Sequence, residues 1–214
     1  MNLRTIEELS DFLADDLAWR KKELADLRAL IEQKAVQESR RNALLRCGVT
    51  MLYAHWEGFI KSAACAYLQF VSLQRLLYKE LSPNFVAVGI RQLLQSASMS
   101  KKSRDHNVLV RFFLTRMSER SSIPYKSVID TESNLSSAVF RDVVEKLGLD
   151  YSPYETKEKL LDEKLLNARN TIAHGSYLQT DLNGYIDMQD EVLSMMELFR
   201  NQVENSVTMK SYRV

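Results

Sequence analysis

The sequence predicts an all-α protein, and three observations carry that expectation. Its 214 residues include only six glycines and three prolines. Apolar side chains recur at three- and four-residue intervals over long stretches, and no alternating run of the kind that builds a strand is found. A first helix starts after Thr5, whose hydroxyl can cap it together with Glu8. Its apolar stripe runs through Leu9, Phe12, Leu13, Leu17, Leu24, Leu27 and Ile31. A second helix, long and aromatic, begins near Ser39 and continues to Ser82, where Pro83 suits the first position of the next helix with Ser82 as its cap.

A shorter helix over about 83–97 then yields to the serine-rich "QSASMSKKSR", read as a loop. Helical spacing resumes over 104–119, and "ERSSIPYKSVIDTESN" is a connector, because Pro124 disfavours helix in the residue before it. A helix over 134–147 is stopped by Gly148. Another runs from Glu155 to His174, with Gly175 at the left-handed position that ends helices, and the last spans Asn183 to Val207. No repeat or domain boundary is visible. The expected architecture is one domain, an antiparallel helical bundle with a smaller helical insertion at about 83–150.

Composition excludes several classes. With 45% hydrophobic and 27% charged residues and a net charge of +1, the chain reads as a globular protein with no global attraction to nucleic acid. Cys47 and Cys65 lie inside apolar helical patterns and form no CxxC pair or Cys/His cluster, so both are expected to pack in a reducing, cytoplasmic setting. The acidic "MNLRTIEELSDFLADD" lacks the apolar run of a signal peptide or membrane anchor. No P-loop, GxGxxG, HExxH or Ser-His-Asp pattern is present, and neither a metal nor a cofactor is called for.

Charge is uneven locally. Between Arg91 and Lys126 there are eight basic residues against Asp105 and Glu119. Lys101, Lys102, Arg104 and Arg111 are the candidates for contacting an RNA backbone, and the bland reading is a solvated helix surface.

The stretch "LLNARNTIAHGSY" carries the chemistry. Arg169 and His174 are five residues apart, which puts them roughly 140° apart around an ideal helix. The guanidinium can hold a phosphate at two points, and the imidazole can move a proton near neutral pH. RNA cleavage by its own 2′-hydroxyl needs one group to take that proton and another to protonate the leaving oxygen. The motif offers one histidine per chain, so a two-fold dimer would supply the pair. The plain alternative is a histidine that caps helix carbonyls.

"RNTIAHG" resembles the signature of the HEPN superfamily, with Arg169, Asn170 and His174 at the matching positions. "MLYAHWEGFIKSAACAYL" (Met51 to Leu68) and "TESNL" (Thr131 to Leu135) extend the likeness over nearly the whole chain, to the MAE-type HEPN-like nucleases. The resemblance implies an all-α HEPN fold, a homodimer joined through the motif helices, and metal-independent endoribonuclease activity of the toxin–antitoxin and phage-defence kind. An antitoxin or defence-system protein is the implied partner. It also assigns roles: Arg169 to the phosphate, His174 to proton transfer and Asn170 to positioning.

His55, Glu57 and Tyr177 are candidate supporting residues, with a buried hydrogen-bonded imidazole as the competing reading of His55. Glu57 is spaced to pair with Lys61, while Trp56, Phe59 and Ile60 read as core. His106 reads as an exposed helix residue. The other class of function that fits is a non-catalytic helical module that binds RNA, a nucleotide or a protein.

Overall fold

A computed structural model describes residues 2–126 and 128–214, and the regular elements of the described residues are all helical. Its helices are α1 (Ile6–Glu32), α2 (Glu38–Leu73), α3 (Pro83–Gly89), α4 (Arg91–Met99), α5 (Ser103–Thr115), α6 (Ser137–Lys146), α7 (Asn167–Ala173) and α8 (Leu182–Thr208). Among the described residues, extended pairing is limited to two isolated bridges, Leu77 with Arg120 and Leu81 with Arg213.

The three long helices α1, α2 and α8 form the core. Thr5 and Glu8 make the reciprocal cap expected at the start of α1, which buries Leu9, Leu13, Leu17, Leu24 and Ile31. Polar contacts fix the directions. Ser10 meets Glu204, Lys21 meets Glu197 and Arg28 meets Asp190, so α1 and α8 run antiparallel. Arg41 bonds the carbonyl of Ile31 and Gln74 that of Arg4, so α1 and α2 are antiparallel too. Tyr67 bonds Ser206 at 2.6 Å, and at the other end Gly48 faces Tyr185 so closely that an added Cβ would lie 2.8 Å from its ring. A bare backbone there lets α2 and α8 come together.

Trp56, Phe59 and Ile60 are fully buried, as their spacing predicts. Trp56 stands edge-on to Phe140, with ring centroids 4.9 Å apart, and Phe140 also touches Tyr151, Tyr154 and Phe199. This aromatic cluster docks α6 on the bundle. Such rings contribute through buried area first and through edge-to-face geometry second.

Several boundaries differ from the sequence expectation. The second helix stops at Leu73 rather than Ser82, because Arg75 takes a left-handed backbone (φ 54°) and residues beyond it bond to distant segments of the chain: Tyr78 N–H to Glu119 O and Lys79 N–H to Met117 O. Pro83 does open α3 with Ser82 before it, but the Ser82 hydroxyl donates to Asn84 Oδ1 instead of capping backbone. The predicted 83–97 helix is two, split at Ile90, and the 104–119 helix ends at Thr115. Cys47 is exposed rather than packed, because the face of α2 that carries it is left uncovered, and Cys65 is half-buried. No described helix is long and apolar enough to cross a membrane.

Candidate functional site

Three kinds of winding, ending in α7 itself, stand where the sequence predicts one α-helix. A 3-10 turn, Ser152–Lys157, precedes a π-helical segment, Leu160–Leu166, which passes directly into α7. Each π turn bonds residue i to i+5, so it holds more residues than an α turn and re-aims the side chains that follow. Asp162 anchors the segment: its carboxylate accepts Ser137 N–H at 2.7 Å and Ser137 Oγ–H at 2.5 Å. That places a negative charge at the start of α6, where the helix dipole favours it. At the other end α7 closes as the sequence predicts. Gly175 has φ 77°, its N–H bonds Ile172 O, and Ser176 N–H bonds Thr171 O.

Arg169 is built into place. Its guanidinium carbon lies 4.0 Å from the centroid of the Tyr53 ring, a cation on the negative face of an aromatic. Nη1 donates to Asn170 Oδ1 at 2.8 Å and Nη2 to Ser133 O at 2.7 Å. The Tyr53 hydroxyl in turn accepts the N–H of Leu135 at 2.6 Å, and burial pushes this phenol above its usual range. Ser133 and its neighbour Glu132 both hold left-handed backbones near φ 54°. For residues with a Cβ that conformation is unfavourable, and it concentrates at working sites. The three blocks "MLYAHWEGF", "TESNL" and "RNTIAHG" therefore converge: Tyr53, the backbone of Ser133 and Leu135, and Arg169 with Asn170.

His174 follows at the C-cap of α7. Its backbone N–H bonds Asn170 O, while its side chain is exposed and makes no hydrogen bond or ion pair with any described residue. The imidazole is thus at the surface, one turn beyond the anchored arginine.

The supporting candidates separate. His55 is only 5% exposed and faces α1, not Arg169. Its Nε2 lies 2.9 Å from Glu23 Oε2, close but out of line for a hydrogen bond, its Nδ1 lies 3.5 Å from Arg20, and its ring stands edge-on to Trp19. Burial, then the Arg20 charge, hold its pKa below the usual histidine range. Glu57 makes no ion pair with Lys61 among the described residues; it sits one turn past Tyr53, and its charge contributes to raising that phenol. Tyr177 is exposed, with the Arg46 guanidinium 5.7 Å from its ring. Lys101, Lys102, Arg104 and Arg111 are all exposed, and Arg104 and Arg111 line one groove with Asn107 and Arg116. His106 is exposed and caps α4, within 3.1 Å of Ala97 O and 2.9 Å of Ser100 O.

Tyr53 and the loop backbone at Ser133 were the parts of this arrangement hardest to single out from spacing. Arg20, Glu23 and Arg46 had no signal beyond helical charge patterning.

An all-helical bundle in which a short helix presents an Arg-Asn pair against the long central helix and ends on a histidine belongs to the HEPN class of domains. More narrowly, the RiboL-PSP-HEPN family model matches residues 15–205, and the chain belongs to that family. The family matched is this one, and the finer MAE-type resemblance does not come with it. Comparison with curated proteins and with solved structures returns no match.

Proposed function

We propose that the protein is an endoribonuclease that cuts RNA without a metal, through a composite site made by two copies of the chain. The observation that carries this reading is the preparation of Arg169. A guanidinium clamped between an aromatic face, a carbonyl and Asn170 is held in one orientation before substrate arrives, and two of its five N–H groups are engaged. The Nε–H is buried without a partner, while the free Nη donors suit a phosphate, and their charge opposes the negative charge that grows on its oxygens during the reaction. Asn170 acts on the substrate only through Arg169.

One His174 removes the proton of the 2′-hydroxyl. The freed oxygen bonds to phosphorus, the bond from phosphorus to the 5′-oxygen breaks, and the second subunit's His174 gives that oxygen its proton. The products are a 2′,3′-cyclic phosphate and a 5′-hydroxyl. One exposed imidazole per motif fits this division of labour, which calls for two. By its family resemblance the enzyme acts as a toxin or phage-defence effector, restrained by an antitoxin or a defence-system partner.

The test is direct. Purified protein incubated with single-stranded RNA in excess EDTA is expected to release fragments ending in cyclic phosphate. Loss of all cleavage in EDTA with recovery on adding Mg²⁺ would contradict the mechanism. A second reading is favoured by one observation, that Arg169 already tethers the loop at Ser133: the same motif then serves a binding module that cuts nothing.

The basic residues in and before α5 would grip the RNA backbone within this reading. Changing Lys101, Lys102, Arg104 and Arg111 to Ser is expected to make RNA affinity less salt-sensitive, by about 0.7 in the log–log slope for each phosphate that is no longer neutralised. An identical slope in the variant would assign those charges to solvent.

A further inference from the structure

A groove of about 670 Å³ runs between α1, the first half of α2 and α7. Its apolar wall includes Met51, Ala54 and Ile172, and its polar groups include Glu23, Arg46 and His55. Ile172 places it on the motif helix, two residues before His174.

Not all of the polar groups are satisfied within the fold. His55 is almost wholly shielded from solvent and its Nε2 has Glu23 Oε2 as its neighbour at 2.9 Å, whereas the buried Nε of Arg46 has no hydrogen-bond partner. An unpaired guanidinium nitrogen on the groove, beside a carboxylate that is half accessible, gives an occupant two polar groups to meet. Glu23 reaches the same place with half of its side chain accessible. At the rim, the Arg46 guanidinium and the exposed ring of Tyr177 lie 5.7 Å apart.

The chemistry selects among ligands. A bare phosphate would meet the Glu23 carboxylate in a largely apolar setting. An aliphatic group would offer nothing to the accessible Glu23 carboxylate or to the Arg46 guanidinium. A flat heterocycle with an N–H edge and a carbonyl edge meets both Glu23 and Arg46. Among RNA bases guanine offers the fullest match, with N–H donors for a carboxylate and the O6/N7 acceptor pair that a guanidinium binds at two points.

We propose that this groove is a guanine-binding subsite, in which Glu23 accepts from the N–H edge, Arg46 donates to O6 and N7, and the base so held selects the linkage presented to Arg169 and His174. The role in selection rests on the nuclease reading; the binding does not.

Trp19 supplies a reporter. Its ring is 5.1 Å from that of His55 and half-exposed, while Trp56 is fully buried. Titrating the full chain with GMP, AMP, CMP and UMP is expected to give a saturable change in tryptophan emission. GMP should bind about tenfold to a hundredfold more tightly than the others. Glu23→Gln, at a half-exposed position, should remove that preference, and Ala54→Leu, at an exposed wall position, should weaken GMP binding at least tenfold. Equal response to the four nucleotides, no response to any, or GMP binding untouched by both variants would overturn the proposal. Mapping cut sites separates it from the nuclease reading. Cleavage indifferent to guanine removes the subsite and leaves the nuclease; guanine-selective binding with no cleavage removes the nuclease and leaves the subsite.

Discussion

Replacing His174 with alanine is expected to lower RNA cleavage by about 10²- to 10⁴-fold, the usual contribution of a positioned proton-transfer group. The fold should be untouched. The His174 ring is exposed and makes no polar contact with described residues, and its helix-ending bond uses the backbone N–H, which alanine retains. Initial rates in EDTA, with circular dichroism and sedimentation on the same samples, check both halves of the statement. A variant that cuts as fast as the parent would remove the imidazole from the mechanism. One that unfolds or dissociates would give the residue a structural part that its exposure does not suggest.

Arg169→Ala is expected to cost about 10²- to 10³-fold in cleavage rate, the range for losing a preorganised group that stabilises transition-state charge. This substitution also releases the loop at Ser133 and uncovers the Tyr53 ring, so thermal stability should fall as well. Arg169→Lys separates the two effects. Lysine keeps the charge but has neither the planar fork nor the flat face that stacks on an aromatic ring. The lysine variant should therefore remain well below the parent in rate while recovering part of the stability. Full activity in Arg169→Lys would reduce the residue to a point charge. In cells, growth arrest on expression should be relieved by Arg169→Ala; equal toxicity of parent and variant would place the harm elsewhere.

The fold class was legible because helical periodicity is local and the protein has little else. Thr5, Pro83, Gly148 and Gly175 mark ends through their own backbone or capping chemistry, and each does so where expected. Boundaries went astray where the cause is non-local. Residues 74–82 have helical spacing, yet Tyr78 and Lys79 find backbone partners near Met117 and Glu119, about forty positions downstream, which no pattern of the segment itself reveals. Cys47 reads as buried from its neighbours, but burial depends on whether another element covers that face, and none among the described residues does.

The site divides in the same way. Arg169, Asn170 and His174 could be named because they sit within one short string. Tyr53 ranks below His55 on sequence alone, since its importance comes from stacking under an arginine from another helix while holding the loop at Leu135. His55 was an ambiguous residue whose surroundings decide it: Arg20, Glu23 and Trp19 of α1 enclose it on the side away from Arg169.

The π-helical stretch Leu160–Leu166 sets the heading of the motif helix. Adding or removing one residue from a helix turns everything after it by roughly 100°. Rewinding this stretch to α geometry would therefore swing the guanidinium off its aromatic seat with no change at the motif itself. The two bonds from Ser137 to Asp162 tie that stretch to α6, so the aim of Arg169 depends on contacts made well before the motif.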